Sequence, residues 1–135
     1  YIDWYELDPE IVESCYRHLP KVCSKVKKSN TVNTFWGDAF ESIKSVENSK
    51  YDKIFVDLND DQYCIDLARK NMSGLQRILK TGGIITAQVG SKDKKPKQVE
   101  NWCKVLEKSF GNVTVSGVHI PSFDCNWNFA SSVMK

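Results

Sequence analysis

Three carboxylates, Asp57, Asp60 and Asp61, follow a short apolar run, Ile54-Phe55-Val56, within the segment 51–61. The run reads as a β-strand buried on both faces. In an open parallel sheet, ligands sit just beyond the carboxyl ends of the strands. Carboxylates gathered there cost stability, because like charges repel and burial removes their hydration. They suit the holding of something cationic: an amine, a sulfonium or a metal ion.

The elements that must position these groups can be read from periodicity and punctuation. Residues 1–7 form a strand. Pro9 fits the first turn of a helix carrying Ile11, Val12, Cys15 and Tyr16, with Asp8 placed to cap it. Residues 31–36 are β-branched and aromatic and form a second strand. Asp38 then caps a helix with Phe40, Ile43 and Val46 on one face. After the strand 53–56, a long helix spans about 62–80, with Ile65, Ala68, Met72, Leu75, Ile78 and Leu79 near helical spacing. Thr81-Gly82-Gly83 is read as its left-handed cap. A strand at 84–89, a helix at 96–110 with Trp102, Val105, Leu106 and Phe110 as its buried stripe, and strands at 113–118 and 127–134 follow. Alternating strands and helices imply an α/β fold, a parallel sheet with helices on both faces. The last two strands have no helix between them and are expected to close the chain as an antiparallel hairpin.

Bulk properties exclude several classes. The 135 residues suit one domain with a real core. A net charge of +2 with both signs interspersed leaves no footprint for nucleic acid or an anionic membrane. No apolar stretch approaches the roughly 20 residues of a membrane helix. The five cysteines are odd in number and widely spaced, which fits reduced thiols in a cytoplasmic protein. With two histidines in the chain, neither a zinc site nor a Cys–His pair is indicated.

Several segments together resemble the polyamine aminopropyltransferases, the spermidine, spermine and thermospermine synthases, on the class I S-adenosylmethionine-methyltransferase fold. They are Glu6-Leu-Asp-Pro9, Gly37-Asp-Ala-Phe40, the D-x-x-D of Asp57 and Asp60 after its strand, Leu79-Lys-Thr-Gly-Gly-Ile84, Ala87-Gln-Val-Gly90, and His119-Ile-Pro-Ser-Phe123 followed by Trp127. Most are weak alone. The D-x-x-D combined with Gln88 and Ile-Pro-Ser-Phe is much more specific.

The resemblance implies transfer of an aminopropyl group from decarboxylated S-adenosylmethionine, a co-substrate rather than a tightly bound cofactor, to a di- or polyamine, with no metal. It implies that Asp57 is the catalytic carboxylate beside the attacking amine and that Asp60 grips the acceptor's cationic end. Glu6 would accept from the ribose hydroxyls. Asp38 would accept from the adenine amino group, with the Ala39 amide facing a ring nitrogen. Gln88 and Phe123 would line the acceptor pocket, Phe123 standing where many spermidine synthases carry a tyrosine. The blander readings are a loop cap for Asp57, helix capping for Asp61 and Asp38, and core positions for Trp102 and Trp127. A methyltransferase or a non-catalytic domain on the same fold are the alternative functions.

The family's glycine-rich turn after its first strand has no counterpart in this sequence, which by this resemblance begins at the family's second strand. In the sheet order 3-2-1-4-5-7-6 that leaves a central gap. The expectation is therefore a fragment, a strand supplied from elsewhere, or a rearranged sheet. Asp61 replaces the family's proline after D-x-x-D, and the gatekeeping loop reads Gln62-Tyr-Cys-Ile-Asp66. Family members are often homodimers, although the segments that usually build that interface are absent here.

Overall fold

A computed structural model describes residues 1–59 and 61–135. They divide into two compact units, Tyr1–Ser45 and Val46–Lys135.

In the first unit, β1 (Ile2–Glu6) and β2 (Val32–Trp36) pair in parallel, with Glu6 opposite Trp36. Tyr5 and Phe35, opposite one another, stack with ring centroids 4.9 Å apart. The helix α1 (Pro9–His18) begins at Asp8, whose Oδ1 accepts from the Glu10 amide at 2.9 Å, and at Pro9, whose missing N–H costs nothing in a first turn. A second helix, α2 (Pro20–Lys27), was not anticipated. It buries no residue, although Val22, Cys23 and Val26 fall at helical spacing after Pro20 in its first turn. It leans on α1 through the Lys27 ammonium, 4.9 Å from the centre of the Tyr16 ring. Beyond β2, α3 (Ala39–Ser42) passes into a 3-10 turn, Ile43–Ser45. Phe40 and Ile43 are buried as anticipated, whereas Val46 lies past the end of the helical run.

The second unit holds a four-stranded mixed sheet in the order β3-β4-β6-β5, built from β3 (Tyr51–Val56), β4 (Leu79–Gly90), β5 (Val113–Ile120) and β6 (Cys125–Val133). The β3–β4 pair is parallel; β6 runs antiparallel to both β4 and β5, so the closing hairpin forms as expected. The described strands thus form two sheets, one per unit.

The helices α4 (Gln62–Ile78) and α5 (Pro96–Phe110) cover one face of this sheet. They bury Ile65, Ala68, Met72, Leu75 and Ile78 from α4, and Val99, Trp102, Val105, Leu106 and Phe110 from α5, against Ile85, Ala87, Val89 and Ala130. The opposite face carries Phe55, Ile84, Thr86, Gln88, Trp127 and Phe129, and among the described residues neither α4 nor α5 packs on it.

This arrangement corrects two expectations. The run Ile54-Phe55-Val56 is not buried on both faces: Val56 is buried, but Phe55 is 74% exposed. Strand alternation sends Phe55 to the face without helices. Nor do Thr81-Gly82-Gly83 cap a helix. The helix ends at Ile78, and Leu79 is already extended (φ −87°, ψ 133°), buried and paired with Tyr51. The two glycines lie inside β4, in a bulge that sets residues 80–83 opposite Asp52. Gly82 takes φ +77°, and a Cβ on Gly83 would lie 2.8 Å from the Lys80 carbonyl oxygen.

Candidate active site

The carboxyl ends of β3 and β4 meet the tip of the β5–β6 hairpin around a groove of about 730 Å³. Its walls include Phe55, Asp57, Leu58, Thr86, Gln88, Ile120, Phe123, Trp127 and Phe129. Asp57 is the one ionisable side chain among the described residues that line it. Residues separated by more than sixty positions in sequence therefore share one surface.

Local forces place each of them. β3 ends at buried Val56, so the next residue, Asp57, emerges exposed at the strand's carboxyl end. Gln88 sits on β4 opposite Phe129 of β6. Alternation buries its neighbours Ala87 and Val89 under the helices and turns Gln88 to the open face. The Gln88 Nε2 donates to the Leu58 carbonyl, and its Oε1 accepts from the Trp127 Nε1 at 2.6 Å. The hairpin tip is a 3-10 turn, Pro121–Phe123, followed by Asp124 in left-handed conformation (φ 46°). There the Phe123 ring lies 4.5 Å from that of Trp127, tilted by 44°. Behind it, Lys94 Nζ donates to the Phe123 carbonyl at 2.9 Å, and the Lys92 amide donates to Asn128 Oδ1 at 2.8 Å. Two bonds thus fasten the loop after β4 to the hairpin. On the groove floor, the Thr86 and Ser131 hydroxyls join β4 to β6 across 2.9 Å.

Asp57, Gln88 and Phe123 are thus brought together, while Asp60 lies outside the described residues. Trp127 is a correction: the sequence placed it in the core, yet it is half-buried and lines the groove. Trp102, also read as core, is fully buried. Asp61 caps α4, its Oδ1 accepting from the Cys64 amide at 2.8 Å. The segment Gln62–Asp66, which stands at the place of the family's gatekeeping loop but matches it poorly, forms the start of that helix. Gln62 donates to Asp66 Oδ1 and accepts from Asn101 of α5, at 3.0 and 3.1 Å.

Glu6, Asp38 and Ala39 belong to the first unit. Glu6 ends β1, and its backbone carbonyl accepts from the Gly37 amide at 2.9 Å, so the ends of β1 and β2 are level. Its Oε1 accepts from the Asp8 amide at 3.0 Å. Asp38 follows Gly37, whose φ of +116° makes the turn out of β2. The Asp38 Oδ1 caps α3 through the amides of Phe40 and Glu41, at 2.7 and 3.4 Å; the Ala39 amide is not part of that cap. Two carboxylates therefore stand at the carboxyl ends of two adjacent parallel strands, where α/β folds receive nucleotides.

A second depression, about 420 Å³, lies between α4 and α5 and is rimmed by Arg69, Lys70, Lys104 and Lys108. Its positive charge suits neither an amine nor a sulfonium. Among the described residues, no helix is long and apolar enough to cross a membrane, and no three His, Cys, Asp or Glu side chains are grouped to hold a metal ion.

Comparison with solved structures places this α/β fold among the spermidine synthases. The chain matches a spermidine synthase in complex with the transition-state analogue AdoDATO at a TM-score of 0.85 with 14% identity, covering 98% of this chain and 46% of that one. A spermidine synthase from Thermotoga maritima matches at 0.83, also with 14% identity, covering 98% and 45%. The sequence model of the spermine/spermidine synthase domain matches residues 1–135, and the chain belongs to that family. Among its relatives, the polyamine aminopropyltransferase of Korarchaeum cryptofilum is 23% identical over 127 residues, 93% of this chain and 39% of the relative. That of Clostridium perfringens strain SM101 is 28% identical over 139 residues, 99% and 48%. The chain spans less than half the length of both.

Proposed function

We propose that the protein carrying this chain transfers an aminopropyl group from decarboxylated S-adenosylmethionine to a di- or polyamine. The observation that carries this reading is the groove itself, in which Asp57, Gln88 and Phe123 share one surface and Asp57 is the sole ionisable group among the described lining residues. Family membership and the aminopropyltransferase relatives support it.

In the reaction, the acceptor's neutral nitrogen attacks the propyl carbon next to the sulfonium. A C–N bond forms, the C–S bond breaks, its electron pair goes to sulfur, and methylthioadenosine leaves as a neutral thioether. The new nitrogen carries positive charge until it sheds a proton. Asp57 is suited to hold the acceptor by a charge-assisted hydrogen bond and to accept that proton. The aromatic rings of Phe55, Phe123, Trp127 and Phe129 suit the methylene chain and attract ammonium groups through their faces. Glu6, Asp38 and the Ala39 amide suit the ribose and adenine of the nucleoside, and Asp60 suits the acceptor's far charge.

The test is an assay of the full-length protein with decarboxylated S-adenosylmethionine and, in turn, putrescine, spermidine and spermine. Release of methylthioadenosine with one of them is the expected result; none with all three overturns the reading. Asp57→Asn should lower kcat by roughly 10²–10⁴-fold. Its stability should stay within about 0.5 kcal/mol of wild type, because the side chain is exposed.

A further inference from the structure

Gln88 uses both ends of its carboxamide on the protein. The Trp127 indole N–H points at Oε1, and Nε2 points at the Leu58 carbonyl. An indole nitrogen only donates and a peptide carbonyl only accepts. A single orientation of the amide therefore satisfies both. The flipped amide would set donor against donor at Trp127 and acceptor against acceptor at Leu58.

We propose that Trp127 and Gln88 form a strut that positions Asp57. Trp127 fixes the orientation of the Gln88 amide, and the amide holds the carbonyl of Leu58, the residue joined to Asp57. Asp57 is exposed, so its location depends on the course of the backbone rather than on side chains packed around it. The far end of the strut is itself held, since the Trp127 ring rests on Phe123 and the Phe123 carbonyl is bonded by Lys94. A carboxamide offers two N–H groups and two lone pairs. The strut takes one of each, so Gln88 keeps one donor and one lone pair for an acceptor amine while doing this second job. Trp127 is then a positioning residue, acting through Gln88 and Leu58. The kinetic consequence rests on the aminopropyl-transfer reading; the strut itself does not.

The experiment compares Trp127→Phe, Gln88→Met and the double variant in the full-length protein. Trp127→Phe removes the indole N–H and keeps a ring beside Phe123. Gln88→Met removes both bonds at similar volume. Each single change should lower kcat by roughly tenfold to a hundredfold, as expected when a reacting group is misplaced. Methylthioadenosine affinity should not change. If the two residues act as one unit, the double variant should be no more than about twofold worse than Gln88→Met alone. Full multiplication of the two losses, or an unchanged kcat in Trp127→Phe, overturns the proposal.

An arm that needs no turnover uses ¹H–¹⁵N spectra. The Trp127 indole proton should exchange slowly with solvent, and Trp127→Phe should shift the Gln88 side-chain amide and the backbone amide of Asn59. An indole proton that exchanges as fast as in free tryptophan overturns the strut. A wild-type protein that releases no methylthioadenosine but shows the protected indole retains the strut and sinks the aminopropyl-transfer reading instead.

Discussion

The Lys94 ammonium donates to the Phe123 carbonyl across 2.9 Å, joining the loop after β4 to the tip of the β5–β6 hairpin. Phe123 forms part of the groove wall, so this bond acts on the site without entering it. Lys94→Met should free the tip. One hydrogen bond of this kind contributes about 0.5–1.5 kcal/mol. Steady-state kinetics should accordingly show the acceptor KM rising by roughly two- to tenfold, with nucleoside affinity unchanged in a calorimetric titration. An equal loss of affinity for both substrates would contradict this division.

Gly37 makes the turn that brings Asp38 to the end of β2. Its φ of +116° is a conformation that residues with a Cβ rarely adopt, although no atom lies within 4 Å of where that Cβ would stand. The cost of Gly37→Ala is therefore one of backbone strain, about 1–3 kcal/mol. Denaturant unfolding should register it. If Asp38 serves the adenine, methylthioadenosine binding should weaken in the same variant while the acceptor KM holds.

Trp102 is fully buried on α5, facing the sheet through the helix stripe it shares with Val99, Val105 and Leu106. Trp102→Ala should cost about 3–5 kcal/mol, read as a lower denaturant midpoint at unchanged slope. Its indole N–H has no hydrogen-bond partner among the described residues. Trp102→Phe, which removes that group and keeps a ring, should cost clearly less.

Asp52 and Lys80 bridge β3 and β4 at 2.8 Å. The hydrogen bond from Lys80, reinforced by its charge, holds the Asp52 carboxyl below its usual pKa. A carboxylate whose folded pKa is depressed adds stability above its unfolded pKa and loses it as pH falls through the folded one. Wild type should therefore exceed Lys80→Met in stability at pH 7, with the difference shrinking below roughly pH 4. The pair is exposed, so added salt should also narrow the gap. A difference that stays constant down to pH 2 would mean that Lys80 stabilises the bulge by packing rather than by charge.

The order of strands and helices was legible because punctuation and period agreed: Asp8 and Pro9 open α1, Asp61 caps α4, and Ile85, Ala87 and Val89 alternate into the core. The meeting of Asp57, Gln88 and Phe123 was legible only as a family resemblance, since nothing local joins positions that distant. Phe55 was misread because three consecutive apolar residues look alike whether both faces or one is covered. Trp127 was misplaced for a related reason. An indole on a closing strand reads as core, yet it shares its phase with Phe129 and Ser131 on the open face. The alternation with buried Ala130 and Ser132 was the available signal. The helix α2 buries nothing, and its signals, Pro20 in the first turn with Val22, Cys23 and Val26 at helical spacing, span only two turns.

The bulge at residues 80–83 has a consequence for the groove at the other end of β4. From Leu79 to Ile84 the chain takes five steps while β3 takes two, from Tyr51 to Lys53. Residues that stand opposite in a ladder share a face, so the pairing resumed at Lys53 and Ile84 sets the side of everything after the bulge. It is this register that leaves Ile85, Ala87 and Val89 inward and aims Gln88 outward. A chain one residue shorter between Lys80 and Gly83, with Leu79 kept opposite Tyr51 and the rest of β4 slid one position along β3, would present Val89 to the groove and bury the amide of Gln88 beneath the helices. The chemistry of the groove is thus written partly as a register: how the bulge meets β3 decides which side of β4 the ligand meets.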